Sequence, residues 1–161
     1  MTKLTKILLL GNPKLHEVSE EVSRDEIAGL KGAITELSDI LNEFKATYNA
    51  GRAVAAPQIG VMKRIIFMNI DRPVIMFNPV LLDLSEEMME LWDDCMCFPN
   101  LLVKVKRHKS FKLKFRDENW LEQEWLLEDS LSELIQHEYD HLDGILATQR
   151  AIDSKSFSWR N

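Results

Sequence analysis

The chain has 161 residues, of which 45% are hydrophobic and 29% charged, with six glycines and five prolines; this composition excludes a disordered or fibrous protein and makes one domain over residues 1–161 the expectation. No apolar run approaches the ~20 residues that span a bilayer, and the apolar stretch among the first ten is too short for a secretory signal, so a cytoplasmic protein is expected. A net charge of −6 argues against a general attraction to DNA or to membranes, and the only cysteines, Cys95 and Cys97, stand one residue apart, a poor frame for a disulfide and a fit to a reducing compartment.

In chain order, Gly11-Asn12-Pro13-Lys14-Leu15 reads as a turn. From about Ser23 to Tyr48, apolar residues at Ile27, Leu30, Ile34, Leu37, Leu41, Phe44 and Tyr48 recur every three or four positions and predict a core helix. Ser23 and Glu26 form a capping-box signal for its start, and Asn49-Ala50-Gly51 a stop. Short apolar runs follow at 64–70, 74–82 and 88–92, separated by Asp, Pro and Ser, and read as strands. The period-two alternation of Leu102–Lys106 and of Phe111–Arg116 predicts a hairpin with a basic face. That face suggests an RNA contact, such as a ribosome reached through Lys104 to Arg116. The competing and preferred reading is a solvated strand whose lysines blunt a sheet edge. A last helix begins near Ser130, with Ser130 and Glu133 as a second capping-box signal, and runs to Gly144. The tail from Ala151 to Asn161 has no clear period and is left unassigned.

The last helix carries the chemistry. His137-Glu138-Tyr139-Asp140-His141 is an HExxH run, and two histidines at i and i+4 stand one turn apart on one helix face, able to hold one divalent ion. Glu138 falls beside the open position of such an ion, where a carboxylate can take a proton from water and return it to a leaving amine. A catalytic site needs a third protein ligand. His16 and His108 lack a ligand context, whereas Cys95 or Cys97 offers a thiol. Spacing does not choose between the two cysteines, and both together would close the site as a structural one.

With these residues in view, the chain resembles the peptide deformylases along nearly its whole length. Gly51-Arg52-Ala53-Val54-Ala55-Ala56-Pro57-Gln58 is similar to the family's GxGxAAPQ segment, Asp93-Asp94-Cys95-Met96-Cys97 to its EGCLS segment, and Gln136-His137-Glu138-Tyr139-Asp140-His141-Leu142 to its HExDHL helix. The resemblance implies an α+β fold with antiparallel sheets around a central HExxH helix, and hydrolysis of an N-formyl amide, above all release of formate from N-formylmethionyl peptides. It implies Cys95, His137 and His141 as ligands of Fe²⁺, with Zn²⁺, Ni²⁺ or Co²⁺ as substitutes. It also implies that the Gln58 amide and the backbone N–H of Met96 stabilise the oxyanion, a donor of this kind contributing about 3 to 4 kcal/mol.

The departures from the family pattern surround the substrate. Arg52 and Ala53 replace an apolar residue and a glycine, Asp94 replaces the glycine of EGCLS, Cys97 replaces its serine, and Asp93 is shorter than the usual Glu. Glu133 and Leu134 fall where the family lines its side-chain pocket, so Arg52, Ala53, Val54, Asp94, Glu133 and Leu134 form the expected substrate-binding set. An unpaired carboxylate is costly to bury. Either Arg52 pairs with Glu133 or Asp94, or the pocket takes a polar group, or Glu133 caps its helix and turns to water. Two alternatives follow: a deformylase or amidase for a smaller polar formylated compound, and a non-catalytic module in which Cys97 completes the metal shell.

Overall fold

The computed structural model describes residues 2–160. Its longest element, α1 (Ile27–Tyr48), is entered through a single 3-10 turn at Arg24–Glu26, where the Ser23 N–H donates to the Glu26 carboxylate. Leu37, Leu41 and Phe44 of the expected stripe are buried, with Ile40 beside them, while Tyr48 at its end is exposed. The helix ends where Asn49 takes a left-handed conformation (φ 51°), which asparagine tolerates better than most side chains.

Among the described residues, eight strands form two antiparallel sheets. The larger contains β1 (Ala53–Ala55), β2 (Ile65–Asn69), β3 (Pro73–Leu82), β6 (Ser110–Arg116) and β7 (Glu122–Glu128), in the order β1-β2-β3-β6-β7. The smaller contains β4 (Met88–Asp93), β5 (Leu101–His108) and β8 (Phe157–Trp159), in the order β4-β5-β8. Helix α2 (Asp129–Leu142) is sheathed by both, with nine of its residues buried. This is the α+β arrangement with antiparallel sheets around the HExxH helix.

Strands β5 and β6 are not a hairpin. They follow one another with only Lys109 between them, yet β5 pairs with β4 and β8 while β6 pairs with β3 and β7. Alternation identifies a half-buried strand but not its partner. Here Val103 and Val105 of β5 enter one core, with Leu37, Phe44 and Phe67, and Phe111, Leu113 and Phe115 of β6 enter another, with Met76 and Ile135. Neither strand is an edge, so the lysines do not serve as edge protection. They meet carboxylates across the strands: Lys104 and Lys106 lie 3.6 and 3.9 Å from Glu90, and Lys112 and Lys114 lie 3.2 and 3.8 Å from Glu124.

The second capping box is also revised. Helix α2 starts one residue earlier, after Glu128, with Ser130 already helical, and the Glu133 carboxylate goes to Arg52 instead of to a backbone N–H at the cap. The tail left unassigned supplies β8, whose three residues are all exposed and so carry no burial pattern to read; Asn161 lies outside the described residues.

Candidate metal centre

Two elements bring the donors together. Helix α2 presents His137 and His141 one turn apart, and the turn after β4 brings Cys95 against them. Their ligand atoms lie within 4.8 Å of one another, and all three residues are buried. His141 Nε2 is 3.4 Å from Cys95 Sγ. His137 Nδ1 is 2.8 Å from Asp93 Oδ2, which leaves Nε2 free to coordinate an ion and matches the carboxylate–histidine support typical of metal-bound imidazole. Cys97, the other candidate thiol, stands outside this trio; its Sγ accepts from Gln58 Nε2 at 3.5 Å. Two imidazoles and one thiolate suit Fe²⁺, Zn²⁺ or Co²⁺, so the donors present fit a divalent transition-metal ion.

The charges around the trio are set by burial. Burial pushes Asp93 upward, but His137 and Arg107 together outweigh it and hold the carboxyl at about 2. Burial lowers His137 while Asp93 more than compensates, carrying it to about 9, and His141, buried beside His137 without such a partner, is held well below the usual imidazole range. Cys95 is pushed up by burial, as expected of a thiol that ionises only when a cation replaces the lost solvation. Burial raises Glu138 to about 7, and its Oε2 is buried with no hydrogen-bond partner among the described residues. That oxygen is an acceptor available to a water molecule or to a substrate.

Gln58 sits in a 3-10 turn (Ala56–Ile59) directly after β1 and is 1% exposed. Its Oε1 accepts the Ala55 N–H at 2.8 Å, and since a backbone donor can face only the oxygen, the NH₂ group is directed to the sulfurs, 3.6 Å from Cys95 Sγ. A cavity of about 580 Å³ opens onto the donors. It is lined by Arg52, Ala53, Gln58, Asp94, Met96, Glu133, Leu134 and Glu138, with Phe44, Lys45 and Asn49 from the end of α1. Gly51 (φ +113°) lies here too, where a Cβ would come 3.2 Å from Phe44. Val54 is not at this cavity: it is fully buried in the main core.

The partners of the charged residues are defined. Arg52 Nη2 lies 2.5 Å from Glu133 Oε1, and Nη1 donates to the Ser130 carbonyl at 3.3 Å. Asp94 pairs instead with Arg160, 2.6 Å away, so the end of the chain ties down the turn that carries Cys95. A buried network that the sequence did not reveal stands behind the ligands. Arg107 donates to Asp93 at 2.9 Å and to Asp140 at 2.6 Å, and Arg150 grips Asp140 through Nε and Nη2 at 2.7 and 2.9 Å. The signal was available, since Arg107 is in phase with Val103 and Val105 on the inward face of β5.

A buried Cys-His-His trio reached from a cavity through Cys95 and His137, with an adjoining carboxylate, is the apparatus of a metal-dependent hydrolase. Comparison with known proteins makes the assignment specific. The polypeptide deformylase family profile matches residues 4–157. Peptide deformylase 1 of Prochlorococcus marinus is 34% identical over 168 residues, covering 96% of this chain and 84% of the relative. The peptide deformylase of Pseudothermotoga lettingae is 34% identical over 155 residues, covering 96% and 87%. Among solved structures, peptide deformylase from Thermotoga maritima superposes with a TM-score of 0.83 at 28% identity, covering 91% of this chain and 97% of that one. The enzyme from Synechococcus elongatus in complex with actinonin gives 0.82 at 26%, covering 92% and 79%. This chain belongs to the peptide deformylase family. No helix among the described residues is long and apolar enough to cross a membrane.

Proposed function

We infer that this protein removes formate from N-formylmethionyl peptides: R–NH–CHO + H₂O gives R–NH₃⁺ and HCOO⁻. The observation that carries the reading is the buried trio of Cys95, His137 and His141, two of which, Cys95 and His137, line a cavity together with Glu138 and Gln58. Cys95, His137 and His141 would hold the ion, and we take Fe²⁺ as the native one on the resemblance to the family. When bound, the ion supplies Lewis acidity, polarising a carbonyl oxygen and bringing the pKa of water toward about 7.

The remaining steps belong to the chain's own residues. The cavity positions the formamide, and Glu138 accepts the proton of the attacking water at its unpartnered oxygen. Glu138, its carboxylate pKa raised by burial and its Oε2 free of hydrogen bonds among the described residues, then delivers that proton to the departing amine. Gln58, its NH₂ fixed by the Ala55 N–H, donates to the carbonyl oxygen as it gains negative charge, together with the Met96 backbone N–H. Arg52, Ala53, Asp94, Glu133 and Leu134 form the walls against which the peptide lies. The family match spans residues 4–157, which supports one catalytic domain over 1–161. The acidic chain and the spacing of its two cysteines, a poor frame for a disulfide, support a cytoplasmic location. A ribosome contact through Lys104 to Arg116 rests on the lysine stripe alone, most of which is matched by Glu90 and Glu124.

The test is formate release by anaerobically prepared, Fe²⁺-loaded protein from formylmethionyl peptides, with Glu138→Ala as control. Release that disappears in the control while the metal content stays constant is the expected result. Metal-loaded protein that releases no formate from any formylated peptide refutes the reading.

A further inference from the structure

The wall of the cavity next to the metal donors is charged. Glu133 lies four residues before His137, one helical turn along the same face of α2, and both residues line the cavity. A substrate whose formamide reaches the trio therefore lays the first atoms of its chain within one turn of Glu133. The carboxylate is largely buried, its side chain 13% exposed, and Oε1 holds Arg52 Nη2 while Oε2 takes no hydrogen bond among the described residues. Arg52 in turn spends only part of its donor fork, on Glu133 and on the Ser130 carbonyl. The wall thus offers a fixed acceptor and spare N–H donors side by side, beside the apolar surface of Leu134 and Met96.

We propose that the Arg52–Glu133 pair is a specificity determinant that admits a polar, amide-bearing first side chain, such as glutamine, alongside methionine at the formylated residue. The inference rests on the deformylase reading above and concerns which formylated peptides are accepted. Glutamine matches methionine in length and replaces the thioether with an amide. An apolar wall would leave that amide unpaired and disfavour it by about ten- to a hundredfold. A wall carrying both an acceptor and donors satisfies both ends of the amide, so the penalty disappears.

The experiment compares two tripeptides that differ only at the first residue, formyl-Met-Ala-Ser and formyl-Gln-Ala-Ser. For the wild-type, Fe²⁺-loaded chain, kcat/KM values within tenfold of one another are expected; a methionine preference above tenfold overturns the proposal. In the Arg52→Ile/Glu133→Ile variant, with folding checked by circular dichroism, the ratio is expected to move toward methionine by tenfold or more, and a change below threefold overturns it. Calorimetric affinities of the Glu138→Ala chain for the same peptides read the cavity without the reaction. Comparable binding of both supports the proposal even if wild-type protein releases no formate, an outcome that would defeat only the deformylase reading. Binding of the methionyl peptide alone overturns the specificity.

Discussion

Replacing Arg107 by Met isolates the network behind the ligands. The guanidinium is 3% exposed and bonds Asp93 at 2.9 Å and Asp140 at 2.6 Å. Removing one partner of a buried ion pair leaves an uncompensated charge and costs about 3 to 5 kcal/mol. Asp140 keeps its two bonds from Arg150, but Asp93 keeps only His137, 2.8 Å away. That partial compensation places the loss near the lower end, about 3 kcal/mol, or a melting temperature lower by roughly 6 to 12 °C for a chain of this length. The second effect falls on the metal. Asp93 orients His137, and loosening a support of this kind weakens affinity by roughly 10- to 100-fold, so at fixed saturating metal a further ~1.4 kcal/mol or more is lost. Calorimetric melts of metal-stripped and metal-loaded protein separate the two contributions, and the loaded protein should lose more. Arg107→Lys should not restore stability, because one ammonium cannot reproduce the two-pronged contact. A stripped variant melting within 2 °C of wild type, or full recovery by lysine, would refute the reasoning.

Four further outcomes are expected. Asp93→Ala should weaken metal affinity by roughly 10- to 100-fold in a chelator competition while leaving the three donors in place. Cys97→Ser should keep one ion per chain with an unchanged single-sulfur absorption spectrum, because Cys97 stands outside the trio; a lost sulfur signal would contradict this. Gln58→Leu should lower kcat by roughly 10²- to 10³-fold at constant metal content. Gly144→Ala should destabilise by about 2 kcal/mol or more in urea melts, since its φ is +73° and the added Cβ would lie 2.5 Å from the His16 carbonyl.

What could be read from the sequence followed from how local each signal was. The stripe of α1 and its stop at Asn49 are written in consecutive residues, and so is the HExxH turn. The choice of thiol was not, because Cys95 and Cys97 differ only in which one the turn after β4 directs at α2. Pairing of β5 and β6 with different sheets depends on which core each apolar face meets. Glu133 carried a valid capping signal that a longer-range partner, Arg52, overrode, a case of tertiary contact defeating local preference. Arg107 shares the inward phase of Val103 and Val105, but its aspartate partners come from β4 and α2, which no local pattern in β5 announces.

The single-residue corner at Lys109 determines where this chain can grow. Its N–H donates to the Glu87 carbonyl at 3.0 Å and its carbonyl accepts the Asp129 N–H at 2.9 Å, so the corner is tied both to the approach to β4 and to the first residue of α2. Lengthening it by one residue would shift one strand by half a pleat, sending Phe111, Leu113 and Phe115 outward or moving Arg107 off its aspartates. By contrast, the Asp71-Arg72 bend between β2 and β3 is exposed and faces water. Peptide insertions, reporter loops or permuted termini belong at that bend, where added length leaves the strand phase and the metal ligands untouched.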